Sequence, residues 1–594
     1  MRTSWSSSGF FKVLSGTANV KGINYWGEQS LYGLVELGSA DGDGTARLNI
    51  GDAGIAEFST DQNTGVTLQL GNGTLGATAD WTTSYNASFT AGKISLVGTG
   101  IGTVVDTTDA NDKKTARHIT FKNALTGSGK MVVDGVGSLT LCVAGDNTGT
   151  VTINSGATLK LQTGGNYTLG SAVDGRGVLQ VESGTSLLSN SKSIASDIVL
   201  NGGNATLEGD RTISGNITIN SGSTLTAGGG DVLQYDAVEA VPASSRTITI
   251  NAGGELAMGE NRWSFGRGSE TAGGDDGIYQ INLAGGKISG SGNDNGNLDF
   301  FDNTSITATG TTGQITADIK VRSNKTLSVA VTNKNDSAEI SGKIIADGKL
   351  SKSGEGNLTV SGANTYSGGT VISAGTLTTA NASALGTGKV QVDGGILKMA
   401  AALSVSAMDY ISGSVQNGGY NLDITDTLKV GSGATLAMVG EGTTTVQTLQ
   451  LEANAKITTQ GALNMSNLDM ASGATITANE AVTLNGNLTL RGQINMEGNL
   501  ISSLGNLTSS DQKVTLFTGV NTLTLGSDSY SSLSRNIMGQ VDVSTYFSGV
   551  DSGLYSLSFS DGNVYAGLIV PEPTTATLSL LALAGLCARR RRSH

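Results

Sequence analysis

The sequence predicts an all-β chain, a right-handed parallel β-helix (a solenoid), and three observations point there. Glycine supplies 87 of the 594 residues and proline only 3. Apolar and polar residues alternate over very short runs. One grammar, strand then polar-Gly corner then strand, keeps returning: Thr152-Ile153-Asn154-Ser155-Gly156-Ala157-Thr158-Leu159, Thr218-Ile219-Asn220-Ser221-Gly222-Ser223-Thr224-Leu225, Thr249-Ile250-Asn251-Ala252-Gly253-Gly254-Glu255-Leu256 and Thr370-Val371-Ile372-Ser373-Ala374-Gly375-Thr376-Leu377.

Each observation has a physical basis. Proline cannot donate to a β-ladder, so a body with only Pro242 ahead of the last 25 residues is free to pair almost throughout. Scarce proline also argues against collagen and Pro-rich linkers. Alternation means one face buried and one solvated. A Ser-Gly or Ala-Gly corner supplies the positive φ of a sharp bend. Strands of about three to five residues bury too little surface as isolated hairpins and must stack on neighbouring copies. With only 5% aromatic residues, the core is expected to be Val, Ile, Leu and Ala, in coils of about 20 to 25 residues. The rival architecture, a series of β-sandwiches, calls for longer strands and more aromatic anchors.

Along the chain, residues 1–30 depart from the grammar. Trp5, Phe10, Phe11, Tyr25 and Trp26 cluster there, which suits a cap over the first open edge. Met1 to Gly9 lacks the apolar run of a secretory signal, so an incomplete N-terminus is expected. Residues 31–550 form the solenoid. The stretch from Glu260 to Asp302 interrupts the repeat with charged and aromatic residues, and insertions of this kind are often functional loops. Glycan binding by Trp263 stacking, with Arg262, Arg267, Asp275 and Asp276 as polar partners, is the site expectation. A bland loop covering a core gap is its competitor. Residues 551–570 place Ser560-Asp561-Gly562-Asn563 between two alternating runs, a hairpin signal that closes the column.

Several chemistries are excluded. A net charge of −13 repels phosphate backbones, so nucleic acid is not an expected partner. Cys142 and Cys587 are the only cysteines, and they form neither a disulfide framework nor a Cys-rich metal site. His118 and His594 are the only histidines, which argues against Ser-His-Asp catalysis and His-based metal centres. Asp41-Gly42-Asp43-Gly44 lacks the terminal Glu of an EF-hand loop and reads as a turn. No cofactor is expected, and the chain reads as a non-enzyme.

Two stretches carry resemblances. Leu350-Ser351-Lys352-Ser353-Gly354-Glu355-Gly356-Asn357-Leu358-Thr359-Val360, followed by Ser361-Gly362-Ala363-Asn364-Thr365-Tyr366-Ser367-Gly368-Gly369-Thr370 and the strand to Leu377, closely resembles the autotransporter-associated β-strand repeat. Residues 347–377 hold that copy. A degenerate one spans 127–161, through Ala144-Gly145-Asp146-Asn147-Thr148-Gly149-Thr150, with the Tyr and one Gly missing. The resemblance implies surface-exposed or secreted solenoids of Gram-negative bacteria. Autotransporters close with a membrane β-barrel of alternating strands of about 10 residues. The final residues here do not read that way, so self-export is not expected.

Residues 571–594 resemble the PEP-CTERM sorting signal instead. Pro571, Glu572 and Pro573 keep a recognition site extended. Thr574 to Ala588 is an apolar run expected to be a short helix, about 22 Å long and shorter than a bilayer core of roughly 30 Å. Arg589, Arg590, Arg591 and Arg592 would hold the end in the cytoplasm. The resemblance implies an exosortase-type processing enzyme as partner, transient anchoring in the inner membrane, and then surface attachment or release. Extracellular matrix or glycans are the further partners expected. The functional expectation is a structural or adhesive surface rod, with a polysaccharide-binding or polysaccharide-degrading β-helix as the alternative.

Overall fold

The computed structural model describes residues 9–25, 32–57, 65–84, 93–169, 177–189, 193–194, 196–208, 211–213, 215–229, 232–234, 247–265, 279–291, 297–311, 313–471 and 473–478. Short stretches between 482 and 568 are described as well: 482–484, 487–490, 493–495, 513–517, 522–525, 528–531, 536–542, 547–548, 555–560 and 563–568. Two compact units divide the chain: residues 1–370 with 384–387, and residues 371–383 with 388–594.

Alternating short strands build the first unit as parallel coils, as the repeat grammar predicts. One coil runs Thr247–Asn251, Glu255–Ala257, Trp263–Phe265; the next runs Tyr279–Ala284, Lys287–Ser289, Leu298–Phe300. Each strand pairs in parallel with its counterpart one coil on. Inward positions stack in register: Ile119, Leu139, Leu159, Leu179, Ile198, Ile217, Ile248, Ile281, Ile306 and Val329 follow one another on adjacent strands. All are essentially inaccessible to solvent. With strands ~4.8 Å apart, each side chain contacts the ones above and below. Full burial of each is worth roughly 1.5–3 kcal/mol.

Coil length varies more than the sequence suggests. Leu139 pairs with Leu159, a coil of 20 residues, while Ile248 pairs with Ile281, a coil of 33. Much of the surplus is residues 266–278, which follow the strand Trp263–Phe265 and lie outside the described residues. A ladder tolerates this because only strand register, not corner length, is fixed by stacking.

Residues 9–25, expected to belong to a cap, are strands of the solenoid itself. Gly9–Val13 pairs in parallel with Tyr32–Leu37, and Thr17–Tyr25 with Arg47–Glu57. Gly22 and a register shift between Val20 and Gly22 blur their alternation, which hides them from a pattern search.

The second unit has longer strands than the grammar implies: Val390–Met399, Met408–Gln416, Leu422–Val430, Thr444–Leu451 and Leu463–Met470. Bulges let one strand turn a corner without a break, as at Asp393. Parallel pairing continues to Phe547–Ser548, which lies beside Gln493–Asn495. Interleaved with it is a four-stranded antiparallel sheet of Lys513–Phe517, Asn563–Leu568, Tyr555–Ser560 and Asn536–Asp542. The Ser560–Asn563 hairpin is part of this sheet, so the parallel column and the closing element overlap in sequence rather than meeting at 550. No helix occurs among the described residues. None of them forms a helix long and apolar enough to cross a membrane. The short helix expected over Thr574 to Ala588 lies outside the described residues, as do Pro571, Glu572, Pro573 and Arg589 to Arg592.

Candidate functional site

The stretch from Glu260 to Asp302 places its aromatic residues inside the coil. Trp263 and Phe265 occupy inward positions of one strand, and Leu298 and Phe300 are their partners on the next. The Phe265 and Phe300 rings lie 5.1 Å apart. Trp263 is 0% exposed. A ring enclosed on all sides cannot receive a sugar face, so the expected stacking platform is not formed. Alternation explains the outcome: Trp263 takes the rung between Val232 and Leu298, and a wide ring fills a coil enlarged by insertion.

Outward positions of the same strands carry the charge. Asp299 is fully buried although it points away from the aliphatic interior. Arg322, one coil on, meets it with two parallel bonds, Nε at 2.9 Å and Nη2 at 2.7 Å. Arg262 approaches the same carboxylate at 3.5 Å. The Arg322 guanidinium also lies 4.2 Å from the centre of the Phe301 ring. Lys325 reaches the buried Asp302 at 2.8 Å. This network joins consecutive coils and neutralises its acids internally. The oxygens of these buried carboxylates are already held by fixed cations. Arg262 therefore belongs to a structural bridge, while Arg267, Asp275 and Asp276 lie outside the described residues. Sequence reading missed Arg322 and Lys325, which stand a full coil away from the cluster that drew attention.

Both repeat-like stretches have a common geometry. In the better copy, the Thr365 and Ser367 amides donate to the carbonyls of Ile344 and Ala346. In the degenerate copy, Asp146 and Thr148 donate to Leu125 and Gly127 in the same way. Tyr366 stands between the first pair and is fully buried, with its hydroxyl bonded to Thr370. Burial pushes the pKa of this phenol far above its usual range, so the hydroxyl stays protonated. Asn147 stands between the second pair, also buried. The position that the sequence shows as a missing Tyr is thus occupied by Asn147, which closes its own turn through Gly149.

Asn364 does more than cap a turn. Its carbonyl accepts from the Ile344 amide at 2.7 Å, and its amide donates to the Ala384 carbonyl. Three successive coils are clamped by one side chain. Asn72 does the same between Ala40, Gly42 and Gly102, and Asn297 between Gly259, Asn261 and Asp318. Gly369 adopts φ +91°, a conformation that favours glycine in the bend after Tyr366.

The remaining candidates resolve as structural. His118 Nδ1 lies 2.8 Å from Ser138 Oγ, a rung-to-rung contact within the ladder that pairs these two residues. Asp43 caps its own turn through the Thr45 amide and hydroxyl. Among the described residues no group of three or more His, Cys, Asp or Glu could hold a metal ion.

Comparison with known families adds one finding. A family model described as the passenger-associated-transport-repeat matches residues 131–161 and 350–378. No curated protein matches the chain.

Proposed function

We propose that this chain, a parallel β-solenoid carrying two passenger-associated-transport-repeats, is an exported cell-surface protein with a structural or adhesive role, sorted by its C-terminal segment. The observation that carries the reading is the pair of repeats: both matched stretches are in-register coils of the solenoid, laid over the preceding coil by the same backbone bonds. The chemistry of the described residues supports presentation rather than turnover, because the buried Asp299 and Asp302 are held by cations. A stacked ladder is a scaffold whose outward positions can vary freely without disturbing the rungs.

Sorting rests on the sequence of the last residues. Pro571-Glu572-Pro573 offers an extended cleavage site, Thr574 to Ala588 a brief membrane anchor, and Arg589 to Arg592 a cytoplasmic stop. An exosortase-type enzyme is the partner this arrangement fits. Antibody labelling of intact cells, combined with mass spectra of the envelope-associated chain, tests both parts. Surface labelling with loss of Arg589 to Arg592 is expected. Absence of labelling overturns export, and an intact arginine terminus in cells that possess the processing enzyme overturns sorting.

A further inference from the structure

Three Asn-Gly pairs fall among the described residues: Asn72-Gly73, Asn201-Gly202 and Asn417-Gly418. An asparagine followed by glycine can react with itself. The glycine nitrogen attacks the side-chain carbonyl carbon, a succinimide ring closes, and ammonia leaves. Water then opens the ring at one carbonyl or the other, giving aspartate or isoaspartate. Glycine permits the attack because no Cβ shields its nitrogen. The reaction consumes only water. In a folded chain its rate depends on whether the carboxamide and the following nitrogen are free to meet.

The fold treats the three pairs differently. Asn72 is buried, its amide donates to the Ala40 and Gly42 carbonyls at 3.0 and 2.9 Å, and its carbonyl accepts from the Gly102 amide at 3.0 Å. Asn417 is buried too, with its amide donating to the Gly442 carbonyl at 2.9 Å. Asn201 is exposed, at the corner between the strands Asp197–Leu200 and Asn204–Leu207. Its carboxamide oxygen accepts one long bond, from the Asn220 amide at 3.5 Å, a distance at which little holds it. Gly202 is exposed as well, with φ +98°. Its N–H donates to the Ser223 hydroxyl at 2.8 Å rather than to a ladder carbonyl, and a hydroxyl rotates as a ladder carbonyl cannot.

We propose that Asn201 is a site of spontaneous deamidation, converted in the folded protein to aspartate and isoaspartate, whereas Asn72 and Asn417 are protected. Either product alters the ladder. Asn201 stands between Glu182 and Asn220 on the adjoining coils, since Val181 pairs with Leu200 and Leu200 with Ile219. Aspartate there sets a second carboxylate beside Glu182, and like charges on adjacent strands repel. Isoaspartate lengthens the backbone of the corner by one methylene, for which there is no room. A Cβ on Gly203 would lie 2.8 Å from the Ser183 nitrogen, and one on Gly202 2.9 Å from the Glu182 carbonyl oxygen. Conversion therefore loosens this corner and the rungs beside it and leaves distant coils intact.

Peptide mapping by mass spectrometry tests the idea on the full chain, aged at mildly alkaline pH beside a sample unfolded in urea. Unfolded, the three pairs are expected to convert at similar rates. Folded, Asn201 should stay within about ten-fold of its unfolded rate, while Asn72 falls at least about a hundred-fold below its own, because its three hydrogen bonds must open first. Suppression of Asn201 to the level of Asn72 overturns the proposal, as does conversion of Asn72 or Asn417 ahead of it. Asn201→Gln, whose longer side chain closes the ring poorly, should abolish the mass gain in that peptide. A gain that persists there assigns the reaction to another residue and overturns the proposal too. Hydrogen exchange in Val178–Val181 and Ile217–Ile219 should be faster in the aged parent than in the aged Gln variant, and equal exchange contradicts the loosening.

Discussion

Lys352 takes the rung that follows Ile281, Ile306 and Val329, and it is fully buried. Its ammonium donates to the Ser353 and Gly354 carbonyls at 2.7 and 2.9 Å. Loss of water around the charge pushes the amine down from 10.5 to about 8. The folded chain therefore releases this proton near pH 8 and the unfolded chain near 10.5. Between those values the unfolded state binds more protons, so stability rises with pH across that window and is flat for this group below it. The rise amounts to about 3 kcal/mol. Lys352→Met should lack it, and the difference in urea midpoint between parent and variant, followed from pH 7 to 11, measures the effect. A constant difference contradicts it. Val133 precedes Gly135 by two residues as Lys352 precedes Gly354, and both glycines have positive φ. The degenerate copy thus carries an ordinary aliphatic rung at this place.

At the scale of elements, the clamps and the rungs do different work. Asn364→Ala orphans the Ile344 amide and the Ala384 carbonyl, both on buried residues, and should cost about 2–4 kcal/mol. Asn417 is a half clamp: its amide donates to the Gly442 carbonyl at 2.9 Å, while its buried Oδ1 accepts no bond. Asn417→Ala should cost less, about 1 kcal/mol. Equal losses in denaturant titrations of the two variants would falsify the distinction. Trp263→Ala should destabilise its coil by about 3–5 kcal/mol through the cavity it leaves between Val232 and Leu298. Hydrogen exchange should show that loss in the flanking strands Val232–Gln234 and Leu298–Phe300 first, because each rung of a solenoid contacts its neighbours. A loss below about 1 kcal/mol would mean that the ring is not packed as described. The same two classes explain what could be read in advance. Strand-corner-strand repeats were legible because alternation is local. The role of Trp263 was not, because a lone aromatic residue in an insertion looks the same whether the coil closes around it or leaves it outside.

Across the whole molecule, composition determined a great deal. Scarce proline, abundant glycine and short alternating runs require stacked strands, and the two repeat-like stretches located coils that the family comparison also finds. The net charge of −13 and the shortage of histidine set the expectation against nucleic acid and against imidazole catalysis. Those conclusions need only what each residue does to its own few neighbours in sequence. Tertiary structure alone decided which outward residues are sealed, as Asp299 is by Arg262 and Arg322, and which Asn-Gly pairs are clamped, as at Asn72, or open, as at Asn201. It alone added Lys513–Phe517 and Asn536–Asp542 to the hairpin expected at Ser560–Asn563. The physical reason is that the spacing of stacked partners varies, being 19 residues between Leu179 and Ile198 and 35 between Trp263 and Leu298, so partners one coil apart stand at no fixed distance in sequence, and only the closed ladder brings them together.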